Sequence, residues 1–166
     1  YDLLIKTKGI SISQISYASE YMIDQTFLEK IQDQQLLCLS KNYVLVELSY
    51  LQPPINLYEI LFELQLKGYV PVLAHPERYT YFSQDIKNME KLRNAGCLFQ
   101  LNLMSTVGYY GKHITSYAEK LLKADMIDFT ASDIHHEAQL KVFSKPVEIQ
   151  NYNLLEKVIN SNKLFD

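Results

Sequence analysis

Tyr43-Val44-Leu45-Val46-Glu47-Leu48, then Pro53-Pro54, then Asn56 and an amphipathic run to Leu66 closed by Gly68, then Tyr69-Val70-Pro71-Val72-Leu73-Ala74: this stretch decides the fold. Two short runs rich in β-branched and aromatic residues flank a segment of helical period. The glycine between helix and second strand accepts the left-handed conformation with which helices commonly end. Asn56 stands where a helix cap is wanted. Pro71 has no N–H to give to a ladder, so it fits the first residues of a strand or a bulge.

Working outward, the unit recurs. A helix is expected over Lys87 to Asn94 before Gly96, a strand over Cys97 to Leu101, and a Gly-Tyr-Tyr-Gly loop at 108–111. Ser116 to Lys123 reads as a helix with Tyr117, Leu121 and Leu122 on its apolar side, Ile127 to Ala131 as a strand, and Asn151 to Ile159 as a last helix docking through Leu154, Leu155 and Val158. Upstream, Gln14 to Ala18 reads as a further strand. Near-continuous apolar strands separated by helices predict an α/β fold with a parallel sheet covered on its faces. No GxGxxG turn and no GxxxxGK[ST] loop occurs, which favours a βα-barrel over a doubly wound nucleotide-binding sheet.

Composition narrows the partners. The 166 residues are 48% hydrophobic and 21% charged, as in ordinary folded domains. With Lys+Arg 16 against Asp+Glu 19, the net charge of -3 supplies no basic stripe, so neither nucleic acid nor an anionic membrane surface is an expected partner. No apolar run approaches the ~20 residues that span a bilayer, so no direct membrane insertion is expected. Cys38 and Cys97, each in an apolar stretch, read as structural thiols of a reducing compartment, which predicts a cytoplasmic protein.

In a parallel sheet, residues at the C-terminal strand ends gather on one rim wherever they lie in the chain. Glu20 follows Ser16-Tyr17-Ala18-Ser19, Glu47 ends Val44-Leu45-Val46, His75 follows Val72-Leu73-Ala74, and Asn102 follows Phe99-Gln100-Leu101. Asp133 and His135 follow Phe129-Thr130-Ala131-Ser132. Singly, each is more often a capping or solvated residue. Together, carboxylates beside apolar strands are costly to bury unpaired, and a set of two Glu, one Asp and two His suits Zn, Mn or Fe. Arg78 in His-Pro-Glu-Arg (75–78) has two open readings, a bidentate phosphate clamp or a surface salt bridge with Glu77 or another acid. Arg93 reads as a solvated helix residue, His113 as a helix-start residue, and His136 as a neighbour of the site. Most of the 13 tyrosines, Tyr79, Tyr81, Tyr109 and Tyr110 among them, are expected in core or rim.

The run from Ile60 through Tyr79, with Leu73-Ala74-His75-Pro76-Glu77-Arg78-Tyr79 at its end, closely resembles the bacterial tyrosine phosphatases encoded with capsular and exopolysaccharide synthesis genes, members of the polymerase and histidinol phosphatase superfamily. The similarity extends through Tyr43 to Glu47, Gly96 to Asn102, the loop from Gly108 to Lys112, and Asp128 to His135. The resemblance implies a distorted βα-barrel, a cluster of up to three manganese, iron or zinc ions, and phosphotyrosine hydrolysis on a partner tyrosine kinase. By position, Glu20 resembles the carboxylate bridging two metals, Glu47 and His75 the ligands of the second metal, Asp133 a ligand of the first and His135 of the third. Arg78 matches the phosphate-binding arginine. His75 and Arg78 are the expected catalytic pair, with Arg78 and Asn102 against the substrate.

The chain departs from the family pattern in three places. It has no opening Asp-x-His-x-His strand and no further early histidine or acidic ligand; the family's Arg-Pro-Pro has Lys145-Pro146 as its nearest counterpart; and the turn after the middle strand reads Asn102-Leu103-Met104-Ser105. The expectation is one domain over residues 1–166 that lacks the first βα units of the barrel, because such barrels need at least ~200 residues. Exposed strand edges then predict a homo-oligomer, a segment-swapped assembly, or pairing with a separate N-terminal piece. Two rival functions are a small-molecule phosphomonoesterase of the histidinol phosphatase kind and a non-catalytic binding or assembly protein.

Overall fold

The computed structural model describes residues 16–33, 35–83 and 85–165. Five strands, β1 (Glu20–Met22), β2 (Tyr43–Glu47), β3 (Val70–Ala74), β4 (Leu98–Asn102) and β5 (Phe129–Ala131), form one parallel sheet in the order β1-β2-β3-β4-β5. The helices are α1 (Phe27–Asp33), α2 (Leu57–Leu66), α3 (Lys87–Asn94), α4 (Lys112–Lys123), α5 (Glu137–Leu140) and α6 (Tyr152–Ser161). This is the expected α/β class. The described strands make an open sheet, with no pairing between β1 and β5.

The deciding stretch folds as its pattern requires. In α2, Leu57, Ile60, Leu61 and Leu64 share one face and are buried, each contributing about 1.5–3 kcal/mol of burial. Gly68, at φ +81°, ends the helix: its N–H reaches Gln65 C=O and the Tyr69 N–H reaches Leu64 C=O. The same pair of bonds surrounds Gly96 after α3 and, with an aspartate at positive φ, Asp125 after α4. Asn56 precedes α2, but its side chain makes no capping bond; the Leu57 N–H turns back to Pro54 C=O instead. Pro71 is the second residue of β3, and pairing with β4 begins one residue later, at Val72 opposite Leu98, so the missing N–H falls outside that ladder.

Three expectations are corrected. The first strand is Glu20–Met22 rather than Gln14 to Ala18; Gln14 lies outside the described residues, and Ser16, Tyr17 and Ala18 are exposed and unpaired. What fixes β1 is its pairing with β2, and Glu20 therefore opens a strand instead of following one. Second, α4 starts four residues before Ser116, in the turn that follows Gly111. Third, Arg93 is no solvated residue: its Nη1 donates to Asp128 Oδ1 at 2.8 Å and its Nη2 to Met126 C=O at 2.7 Å, tying α3 to the segment before β5.

Alternation along the strands separates two faces. Val44, Val46, Leu73, Phe99 and Leu101 join the apolar cluster with α2, α3 and α4. Leu45, Ala74, Gln100 and Ala131 line a recess on the opposite face. At the far end of that second face, the rings of Tyr43, Phe129 and Phe165 meet at 4.7 to 6.2 Å between centroids. The outer edge of β5 is taken up by Asn162, whose amide accepts from Thr130 N–H at 3.0 Å and donates to Thr130 C=O at 2.8 Å. Among the described residues, no helix is long and apolar enough to cross a membrane.

Candidate active site at the strand ends

Because the strands run parallel, Glu47 at the end of β2, His75 after β3, Asn102 at the end of β4 and Asp133 after β5 reach one rim. Glu20 joins them from β1, opposite Leu45 in register. Its Oε1 lies 3.4 Å from His75 Nε2, and Glu47 Oε2 lies 3.7 Å from the same nitrogen. One ligand atom from each of Glu20, Glu47 and His75 falls within 4.8 Å of the others.

This convergence has an electrostatic consequence. His75 is buried, which works against a charged ring, yet the two carboxylates outweigh burial and hold its pKa up at about 9. Two like charges on one nitrogen need a positive partner, either a proton on the imidazole or a cation between the three groups. The imidazole and carboxylate donors fit Zn, Mn or Fe better than the all-oxygen cages of calcium. The other ring nitrogen of His75, Nδ1, is buried without a partner among the described residues.

The backbone places these groups under strain. His75 has φ 39° and Asp133 φ 52°, in the left-handed region that non-glycine residues seldom enter. From His75 the chain enters a single 3-10 turn, Pro76–Arg78, closed by Arg78 N–H to His75 C=O at 2.9 Å. The turn brings Arg78 back over the rim, where its Nη1 donates to Asp133 Oδ2 at 3.0 Å.

Of the two readings of Arg78, the salt bridge is present, made with Asp133 and not with Glu77. Glu77 is fully buried, and its Oε1 accepts from the Ser105 hydroxyl at 2.6 Å and the Asn102 N–H at 3.1 Å. Burial pushes its carboxyl above the usual range, and Oε2 has no partner among the described residues. Asn102, expected against substrate, is 2% exposed; its Nδ2 donates to Asp133 Oδ2 at 2.8 Å and to Tyr110 Oη at 3.2 Å, and its Oδ1 accepts from Met104 N–H. It also lines the recess on the inner sheet face, a space of about 110 Å³.

A wider cavity of about 330 Å³ is lined by Glu20, Glu47, His75, Arg78, Asp133 and His135 together. His135 is exposed and stands apart from the three-atom cluster, with Nδ1 3.0 Å from the backbone carbonyl of Asp133 and 3.4 Å from its Oδ1. Sequence reasoning missed two residues of this cavity, Tyr50 and Gln139. Gln139 Oε1 accepts from the His135 N–H at 2.7 Å, and its position three residues after His136 is the capping-box signal that marks it. Tyr50 carried no signal beyond lying shortly after Glu47. His113, in the first turn of α4 as expected, faces Ser83 rather than the site.

Residues 4–157 match the family described as Capsular polysaccharide synthesis, CpsB/CapC. The tyrosine-protein phosphatase YwqE of Bacillus subtilis is 35% identical over 103 residues, 61% of this chain and 41% of that protein. The putative tyrosine-protein phosphatase CapC of Staphylococcus aureus is 27% identical over 96% of this chain and 58% of its own length. The tyrosine-protein phosphatase CpsB of Streptococcus pneumoniae is 27% identical over 90% of this chain and 62% of its own. The chain thus spans 41 to 62% of the lengths of these curated relatives. A solved structure, from work on YwqE of B. subtilis and CpsB of S. pneumoniae as metal-dependent tyrosine phosphatases, superposes with a TM-score of 0.70 at 29% identity, covering 89% of this chain and 63% of the other.

Proposed function

The chain belongs to the capsular polysaccharide synthesis family CpsB/CapC, and from that premise we propose that it serves metal-dependent hydrolysis of phosphotyrosine on a protein. One observation carries the reading: three ligand atoms within 4.8 Å of one another share a cavity with an arginine. Glu20, Glu47 and His75 hold a divalent ion, Mn, Fe or Zn, and Asp133 and His135 are the ligands of further ions, up to three in all. A divalent cation in this position supplies Lewis-acid chemistry, neutralising phosphoryl charge and making water more acidic.

The chain's own groups do the rest. Arg78 binds phosphoryl oxygens through its guanidinium edge as charge gathers on them. Asn102 and Arg78 orient the Asp133 carboxylate through their bonds to Oδ2. A tyrosine leaving group, with an intrinsic pKa of ~10, departs with less protonation than an alkyl alcohol requires. By family context, the substrate is a phosphotyrosine protein, the tyrosine-rich tail of a partner bacterial tyrosine kinase.

The sheet is part of a distorted βα-barrel in a single domain. Support comes from the sequential strand order, since a doubly wound sheet reverses direction at a switch point and this one does not. A cytoplasmic location is supported by two thiols that remain free. Assembly with a second copy is supported by the outer edge of β1, which has no strand partner among the described residues.

The test pairs elemental analysis with rates on a phosphotyrosyl peptide and on histidinol phosphate, after reconstitution with Mn, Fe or Zn. Faster turnover of the peptide, lost in His75→Ala and Arg78→Ala, is the expected result. Preference for the small phosphoester moves the assignment to a small-molecule phosphomonoesterase. Neither turnover nor bound metal makes the chain a binding or assembly protein.

A further inference from the structure

Two aromatic rings approach the Arg78 guanidinium. Its central carbon lies 4.9 Å from the Tyr50 ring centroid and 4.2 Å from that of Tyr110, both inside cation–π range. Tyr50 comes from the segment after β2 and Tyr110 from the loop after β4, the two strands that flank β3, and both rings meet Arg78 in the turn that follows β3.

Each ring is anchored independently of the arginine. Tyr50 stacks on His75 at 5.6 Å between centroids, with its hydroxyl 3.4 Å from Nε2. Tyr110 accepts from Asn102 Nδ2 at 3.2 Å and packs edge-on against Tyr109 at 4.9 Å. A guanidinium donates hydrogen bonds only in its plane, so aromatic rings can cover it without consuming a donor. Nη1 is engaged with Asp133, and no other donor of this guanidinium meets a protein acceptor among the described residues.

We infer that Tyr50 and Tyr110 are positioning residues that grip the Arg78 guanidinium and turn its free edge toward the phosphoryl group. The phosphoryl substrate in this statement rests on the phosphatase reading; the capture of a tetrahedral anion does not. The clamp also accounts for the tyrosine pair of the Gly-Tyr-Tyr-Gly loop, of which the second ring meets the arginine and the first supports it.

The experiment measures the calorimetric Kd for inorganic phosphate and the kinetics on a phosphotyrosyl peptide, using the metal-reconstituted full chain with metal content checked in every variant. Tyr50→Ala and Tyr110→Ala are each expected to weaken phosphate roughly tenfold and to raise KM more than they lower kcat. Tyr50→Phe and Tyr110→Phe keep the ring and recover most of that affinity. In an Arg78→Ala background the alanine changes cost much less than they do alone, because the rings act mainly through the arginine. Wild-type-like phosphate affinity in both alanine variants, or losses that add in full to that of Arg78→Ala, overturns the inference, as does a wild-type chain that binds no phosphate. Ring-dependent phosphate binding without peptide turnover sinks the phosphatase reading and leaves the clamp standing.

Discussion

The Arg78 guanidinium and the Asp133 carboxylate, 55 positions apart in the chain, meet at 3.0 Å. The bond joins the turn after β3 to the end of β5, and Asn102 of the intervening β4 donates to the same carboxylate oxygen.

Arg78→Ala is expected to lower kcat/KM on a phosphotyrosyl peptide by roughly a hundredfold or more, the usual loss when a donor to developing charge is removed. Arg78→Lys fares little better, since an ammonium lacks the planar fork. Steady-state kinetics on both variants checks this, and near-normal turnover by Arg78→Lys refutes an edge-on, bidentate contact.

On the proposed reading, metal displaces a proton. In the metal-free protein the His75 imidazole stays charged up to about 9 beside Glu20 and Glu47, so zinc binding at neutral pH is expected to release about one proton. Calorimetry in buffers of differing ionisation enthalpy counts it. The same raised pKa stabilises the metal-free fold fully below the ordinary value of 6.5, and that contribution fades as pH rises through about 9. Thermal scans across this window are therefore expected to show a falling Tm, flattened in Glu20→Gln and Glu47→Gln.

Glu77 separates packing from charge. Glu77→Ala strands the Ser105 hydroxyl and the Asn102 N–H, at about 1–3 kcal/mol for each buried group left without a partner. Glu77→Gln keeps an acceptor for both and removes a carboxyl that burial already pushes toward its neutral form. Denaturant titration is expected to rank Glu77→Gln at or above wild type and Glu77→Ala far below; equal losses contradict this account.

Asn162 guards a sheet edge. Asn162→Ala frees both backbone groups of Thr130, which is expected to cost about 1–3 kcal/mol and to raise self-association through the open edge of β5. Unfolding curves and size-exclusion chromatography read the two effects separately.

The strands β2 to β5 were legible in the sequence because each is a short run dominated by β-branched, aliphatic or aromatic residues, and α2 and α3 because glycine marks their ends. Strand β1 was not: three residues with one half-buried side chain hold no pattern, and only the ladder with Leu45 to Glu47 defines them. The rim residues followed from topology alone, since parallel strands carry their C-terminal ends to one side. Their partners did not follow. That Arg78 meets Asp133 rather than Glu77, and that Arg93 is tied to Asp128, depends on contacts across 55 and 35 positions, which local spacing does not encode. The buried side of α3, Met89 and Leu92, emerged only from the structure, and α5 is too short to show a period.

His75 and Asp133 are two of the four non-glycine residues at positive φ among the described residues, and both belong to the site. A lineage freed from the need for activity loses little by replacing Asp133 with asparagine, which tolerates the left-handed backbone and keeps the fold. Drift of this kind at Asp133 is therefore weakly visible to folding quality control, and descendants with intact architecture and an altered rim are the expected end of relaxed selection. On the proposed reading, counting carboxylates and imidazoles at these few strand ends, rather than overall similarity, is the way to tell working copies from silent ones.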